Sequence, residues 1–85
     1  MEKLNFKELK ELYLYRNKVT DINILEKVNF KELKELYLNK NKISDIKVLE
    51  KVKFEKLEVL DLNENNIDKK QKKEIESKKK YELYI

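Results

Sequence analysis

The sequence predicts an α/β repeat solenoid, in which parallel strands alternate with short helical segments. Three observations support this prediction. A 24-residue unit recurs along the chain, apolar residues alternate with polar ones in its first half, and apolar residues step by three in its second half. Because one such unit is too small to bury its own apolar residues, stacked units must share a single core.

The repeat is visible in the letters of the sequence. Residues 9–14 read LKELYL, residues 33–38 repeat them unchanged, and residues 57–62 read LEVLDL. The opening residues match the end of the same unit, so we expect a piece of a longer array. The predicted organisation is a single domain over residues 1–85: the end of a truncated repeat at 1–8, repeats at 9–32 and 33–56, the start of a last repeat at 57–67, and a C-terminal cap at 68–85.

Each unit is predicted to contain a strand followed by a helical turn. Leu12 and Leu14 alternate with polar or aromatic neighbours, which is the period of a strand with one buried face. Ile22, Leu25 and Val28 step by three, which suits a short helix or a 3₁₀ turn. The groups expected to cap these turns are Thr20, Asp21, Ser44 and Asp45.

Asparagine occupies the same column of every unit, at Asn17, Asn41 and Asn65. A chain that leaves a strand carries backbone groups without ladder partners, and a buried amide can both donate to and accept from them. We therefore predict a ladder of buried Asn side chains between neighbouring units. Since the chain has no Gly, Asn is also the residue expected to take left-handed backbone at these turns.

The C-terminal residues predict a cap rather than another copy of the unit. Residues 68–80 read as a polar helix that begins with a capping box of Asp68 and Gln71, and Glu74 is placed to pair with Lys78. Residues 81–85 alternate like a strand and would close one edge of the sheet. The N-terminal edge has no such cover, so self-association through it is expected.

The composition disfavours an enzyme. The chain has no Cys and no His, so it lacks thiolates and imidazoles, and no Ser/His pair or phosphate-binding loop occurs. We expect no catalytic residue, no cofactor and no metal. The N-terminus has no signal-peptide pattern, and no apolar run approaches the length of a membrane span, so a cytoplasmic location is the default.

Two rival interpretations remain open. A chain rich in Lys, Glu and Leu could form a coiled coil, but its apolar pattern does not repeat at seven and breaks at every Asn of the column. The Lys runs at residues 69–73 and 78–80 could bind nucleic acid. Against this, residues 57–85 carry seven Lys and seven acidic residues, so a solvated helix face is favoured.

The pattern L-x-x-L-x-L-x-x-N-x-I/V, which begins at Leu9, Leu33 and Leu57, resembles the leucine-rich repeat. The segments from Thr20 to Val28 and from Ser44 to Val52 are similar to the Sds22-like and internalin-like subclass, here with a 24-residue unit. The resemblance implies a right-handed solenoid with strands on a concave face and short helical or 3₁₀ segments on a convex face.

In this family the strand residues that point away from the core form the partner-binding face. The resemblance thus implies a non-enzymatic scaffold that binds another protein of unknown identity, with a structural array terminus as the alternative. Carried over by position, the partner-binding residues are Glu11, Tyr13, Tyr15, Arg16, Glu35, Tyr37, Asn39, Lys40, Val59, Asp61, Asn63, Glu64, Glu82 and Tyr84.

Overall fold

Six strands, two 3₁₀ helices and one α-helix occur in the part of the chain that the computed structural model describes, which is residues 4–5, 9–14, 17–18, 20–52 and 54–85. In chain order they are β1 (Leu4–Asn5), β2 (Glu11–Tyr13), the first 3₁₀ helix (Asn23–Lys27), β3 (Val28–Asn29), β4 (Glu35–Tyr37), the second 3₁₀ helix (Lys47–Glu50), β5 (Val59–Asp61), α1 (Lys69–Lys78) and β6 (Glu82–Tyr84).

The main sheet is parallel and has the strand order β2-β4-β5-β6. Leu12 pairs with Leu36, Leu36 with Leu60, and Leu60 with Leu83, so the offsets between paired residues are 24, 24 and 23. The predicted parallel strands are therefore confirmed, including the last one. A separate two-stranded parallel sheet joins β1 to β3, which the repeat pattern did not predict.

The core lies behind the main sheet and is built from the Leu and Ile columns of the repeat. Leu36, Leu38, Ile43 and Leu60 have no exposed surface, because units lie on both sides of them. Leu12, in the outermost strand β2, is only half-buried. The side-chain alternation of the strands thus places one Leu per strand inward and its two neighbours outward.

The 3₁₀ helices lie where the step of three predicts helical turns, but Val28 belongs to β3 instead of the first helix. Their caps also differ from the prediction. Ile46 stands at the N-cap of the second helix and makes no side-chain cap bond. Instead, the amide of Lys47 donates to Oδ1 of Asp45 over 3.0 Å, and the amide of Asn23 donates to Oδ1 of Asp21 over 2.8 Å. Each Asp therefore makes a bond to the amide two residues on, because it lies one residue before the cap position.

Helix α1 begins as predicted at the Asp68 N-cap, whose Oδ1 accepts a 2.9 Å bond from the amide of Gln71. The capping box is incomplete, because the Gln71 side chain bonds to the Ser44 carbonyl and the Ile46 amide, and it contacts Asp68 through Nε2 and Oδ2 at 3.4 Å instead of through the Asp68 amide. The predicted pair of Glu74 with Lys78 is also replaced, since Nζ of Lys78 lies 2.9 Å from Oε1 of Glu50. Helix α1 ends at Lys78, two residues before the predicted end.

We expect Leu36→Ala to lower the free energy of unfolding by about 2–5 kcal/mol, because it leaves a cavity in a fully buried site of a central strand. Urea denaturation followed by circular dichroism measures the loss. Leu12→Ala makes the same chemical change in the half-buried outer strand and should cost clearly less. Equal losses in the two variants would contradict the central position of Leu36.

Candidate functional site

The outward side of the main sheet carries two rows of side chains, one on each side of the buried Leu row. Because the register is parallel, equivalent residues of successive strands stand side by side. The first row is Glu11, Glu35, Val59 and Glu82, and the second is Tyr13, Tyr37, Asp61 and Tyr84. We call these eight residues the sheet face.

Each Tyr of the sheet face donates its phenol proton to the Glu two residues earlier on the same strand. The Tyr13 hydroxyl lies 2.9 Å from Oε1 of Glu11, and the Tyr37 hydroxyl lies 2.6 Å from Oε1 of Glu35. Tyr84 makes the same bond to Glu82. These charge-assisted bonds fix the ring orientations, because residues two apart on a strand share one side of the sheet.

The rings of Tyr13 and Tyr37 stack face to face. Their centroids are 4.7 Å apart and their planes differ by 4°, a spacing that matches the separation of neighbouring strands. Tyr13 is 51% exposed and Tyr84 is 42% exposed, so aromatic surface faces the solvent at both ends of the row. The sheet face therefore presents rigid rings in a fixed order.

The hydrogen bonds change the acidity of the phenols. The bond to the Glu35 carboxylate, with smaller contributions from burial and nearby charge, raises the pKa of Tyr37 to about 12. The bond to Glu11 raises the pKa of Tyr13 and the bond to Glu82 raises the pKa of Tyr84 in the same way. All three phenols thus remain protonated donors at neutral pH.

Strand β5 breaks both rows. Val59 replaces the Glu of the first row, and Asp61 replaces the Tyr of the second. Oδ1 of Asp61 accepts a 2.9 Å bond from the amide of Asn63, which turns the short carboxylate toward its own strand end. Asp61 therefore leaves a gap in the aromatic row between Tyr37 and Tyr84.

The remaining predicted partner-binding residues lie beyond the strand ends. Nζ of Lys40 is 3.8 Å from Oε2 of Glu64, and the Lys40 amide donates to the Asn63 carbonyl over 2.9 Å. Oδ1 of Asn39 is buried and has no hydrogen-bond partner among the described residues. Two predicted residues, Tyr15 and Arg16, lie outside the described residues.

The Asn column lies at the edge of this surface and joins neighbouring units. Nδ2 of Asn41 donates to the carbonyls of Leu14 and Leu38 over 2.8 and 2.9 Å, and its Oδ1 accepts from the Asn17 amide over 2.8 Å. Asn65 repeats the two carbonyl bonds one unit later, to Leu38 and Leu62, while its Oδ1 accepts from the amide of Ile43, two residues beyond the position equivalent to Asn17. Each amide therefore bonds to its own unit and to the preceding one.

The structure corrects two details of this column. Asn41 is buried as predicted, but Asn65 is only partly buried and Asn17 is exposed, since β2 is the outermost strand of the main sheet as described. Among the described residues, the left-handed backbone falls on neighbours of the Asn and not on the Asn itself: φ is 59° at Lys40 and 58° at Glu64, each directly before its Asn, and 57° at Lys18, directly after Asn17. Lys and Glu therefore adopt a backbone region that is sterically costly for residues other than Gly, Asn and Asp.

Sequence reasoning missed the role of Gln71 in α1. Its Oε1 accepts a 2.8 Å bond from the Ile46 amide, and its Nε2 donates a 2.7 Å bond to the Ser44 carbonyl. An amide side chain thus joins α1 to the preceding unit, much as Asn41 joins two strands. The sequence does distinguish Gln71, because it is the only Gln of the chain and lies among lysines.

A groove of about 620 Å³ lies between the second 3₁₀ helix and α1, away from the sheet face. Leu49, Phe54, Ile75 and Tyr81 supply apolar parts of its lining. Its rim carries three Lys and three Glu, so it has no net charge: Lys47, Lys78, Lys80, Glu50, Glu55 and Glu74. None of the predicted partner-binding residues lines it.

A family model described as Leucine Rich repeats (2 copies) matches residues 7–51 and again residues 31–71. The two matches together span 65 of the 85 residues. The chain is a leucine-rich repeat protein. No curated protein and no solved structure matches it. Within the described ranges, no helix of this leucine-rich repeat protein is long and apolar enough to cross a membrane.

We expect Glu35→Gln to move the pKa of Tyr37 from about 12 toward its ordinary value of 10, because the carboxylate acceptor is lost. An NMR titration of ¹³C-labelled Tyr in the leucine-rich repeat protein measures this. The pKa of Tyr84 should stay raised, since Glu82 is intact. Because the folded pKa of Tyr37 is the higher one, its contribution to stability is complete below pH 10 and is lost as the pH rises from 10 to about 12.

We expect Asn41→Ala to lower the free energy of unfolding of the repeat protein by about 1–3 kcal/mol, because the carbonyls of Leu14 and Leu38 lose their donor. Urea denaturation measures the loss, and hydrogen exchange at the Asn17 amide should become faster. Asn66→Ala is the matched control, since Asn66 is exposed. A loss no larger than that of the control would argue against the joining role.

Proposed function

We propose that this leucine-rich repeat protein is a non-enzymatic scaffold that binds a protein partner on its sheet face. The main observation in support of the proposal is the location of the exposed large apolar side chains. In the described part of the chain, Tyr13 and Tyr84 are the large hydrophobic residues with most exposure, and both lie on the sheet face. Leucine-rich repeat domains are generally protein-interaction modules, which supports the same conclusion.

The geometry of the sheet face suits protein recognition. Tyrosine offers a large contact area at a low entropic cost of ordering, and it is enriched at interface hot spots. Here the cost is reduced further, because the Tyr13 and Tyr37 rings are already stacked and hydrogen-bonded before a partner arrives. The face lies on strands of a sheet rather than on loops, so its side chains hold one arrangement.

The charge distribution favours a protein over a nucleic acid as the partner. Four carboxylates belong to the sheet face and none of its eight residues is basic. In the Lys-rich C-terminal segment, Lys78 is paired with Glu50. A polyanionic backbone would be repelled by the face that carries the exposed aromatic rings.

The finer assignments belong to the same proposal. We place the chain in the Sds22-like and internalin-like subclass with a 24-residue unit, a right-handed winding and a concave sheet face. Helix α1 and strand β6 would act as a cap, which the burial of Ile75 and the bonds of Gln71 to the preceding unit support. The division into repeats, the cytoplasmic location and self-association at the N-terminal edge are further parts of the proposal.

The proposal is tested by affinity capture with a variant that lacks the aromatic row. We expect the triple change Tyr13→Ala, Tyr37→Ala and Tyr84→Ala to lower recovery of the partner from an extract of the source cells by at least about tenfold, as hot-spot truncation does. Quantitative mass spectrometry of the captured proteins provides the measurement.

The matched control changes three exposed residues outside the main sheet, Glu26→Ala, Lys51→Ala and Lys73→Ala. This control should recover the partner as the unaltered chain does. Circular dichroism of both triple variants shows whether they are folded. Equal recovery by a folded triple-Tyr variant would refute binding at the sheet face and leave a purely structural role.

A further inference from the structure

We propose that the gap at Asp61 is a binding slot for the guanidinium group of an arginine side chain supplied by the protein partner. The inference rests on the proposed function, since the arginine belongs to a partner docked on the same sheet face. The slot consists of Tyr37 and Tyr84 as walls and Asp61 as floor, and it lies on three adjacent strands.

The dimensions of the slot follow from the register. Asp61 pairs with Tyr37 on one side and Tyr84 on the other, so the two Tyr residues are two strand spacings apart, about 9.6 Å at the backbone. Tyr13 and Tyr37 show that rings on adjacent strands stack at 4.7 Å. The space above Asp61 therefore has the width of one aromatic ring in a stack.

A planar cation fits this space better than other groups. A guanidinium placed midway would lie about 4.8 Å from each ring, within the 6 Å range of cation–π attraction. Guanidinium is flat and stacks on aromatic faces, whereas the ammonium of Lys is a compact and strongly hydrated point charge. An arginine side chain can therefore enter where a third ring would stand.

The charges around the slot favour the same occupant. Asp61 uses one oxygen lone pair for the Asn63 amide, so its carboxylate retains acceptor capacity for a donor from above. Glu35 and Glu82 hold the two walls in place through the Tyr37 and Tyr84 hydroxyls and add two negative charges beside them. The chain as a whole has a formal net charge of +4, so this negative surface is local.

The test uses the full chain and the blocked peptide acetyl-Gly-Arg-Gly-amide, with the citrulline peptide as a neutral isostere. Amide chemical shifts in ¹⁵N-labelled protein report binding and its location. We expect the arginine peptide to shift the amides of β5 and β6 and to bind at least about fivefold more tightly than the citrulline peptide. Equal shifts from both peptides would overturn the proposal.

Two variants locate the binding. Asp61→Tyr fills the slot with the residue that the other three strands carry, and it should abolish the shifts at β5 and β6. Asp61→Asn keeps an oxygen acceptor for the Asn63 amide but removes the charge, and it should weaken binding by about fivefold. Glu76→Gln removes one charge from an exposed position of α1 and should change nothing.

Unchanged peptide binding by the folded Asp61→Asn and Asp61→Tyr variants would refute the slot. This result differs from failure of the proposed function, which is measured by capture of the partner with the triple-Tyr variant. If the triple-Tyr variant loses the partner while Asp61→Tyr still binds the peptide, the scaffold role stands and the arginine slot is wrong. If the slot binds arginine but the triple-Tyr variant keeps the partner, the proposed docking face is wrong, and the slot's assignment to that partner fails with it.

Discussion

Successive strands pair in parallel and in register, and the core, the aromatic row and the ion pairs between units all follow from this pairing. Each residue of one unit stands beside its equivalent in the next, so a single position of the repeat becomes a row across the molecule. Leu36 and Leu60 form a buried row, Tyr13 and Tyr37 form a stacked row, and Glu32 and Lys56 form a 2.9 Å ion pair 24 residues apart. The exposed ion pairs contribute little to stability, while the apolar core to which the Leu row belongs contributes most of it.

The stacked units must also satisfy the backbone N–H and C=O groups at each strand end, because no bond between strands reaches these groups. Asn41 and Asn65 satisfy these groups at the strand ends, and Gln71 satisfies the Ser44 carbonyl and the Ile46 amide at the start of α1. The same chemistry thus joins regular units to each other and to the irregular C-terminal segment.

Much of the fold could be predicted from the sequence because it follows from periodicity. The strands, the 3₁₀ turns and the helix at Asp68 each have a local pattern that tertiary contacts do not override. The details that could not be predicted depend on contacts between units. Lys78 pairs with Glu50 across 28 residues rather than with Glu74 four residues away, and the left-handed backbone falls on Lys40 rather than on Asn41. At the sheet face, the repeat predicts which residues are neighbours but not that each phenol binds the Glu of its own strand.

Under the proposed function, the departures from the repeat determine what the sheet face recognises. A change in the Leu row would open a cavity, whereas a change on the outward rows costs the core nothing, so Val59 and Asp61 can differ from their neighbours without loss of the fold. A perfect row of four Tyr rings would be a closed stack with contact surface only at its edges. Replacing one ring by the short, charged Asp61 opens the stack at a single place and puts a negative charge at its base. The regular rows stabilise the fold, and the proposed arginine slot places selectivity where the regularity is broken.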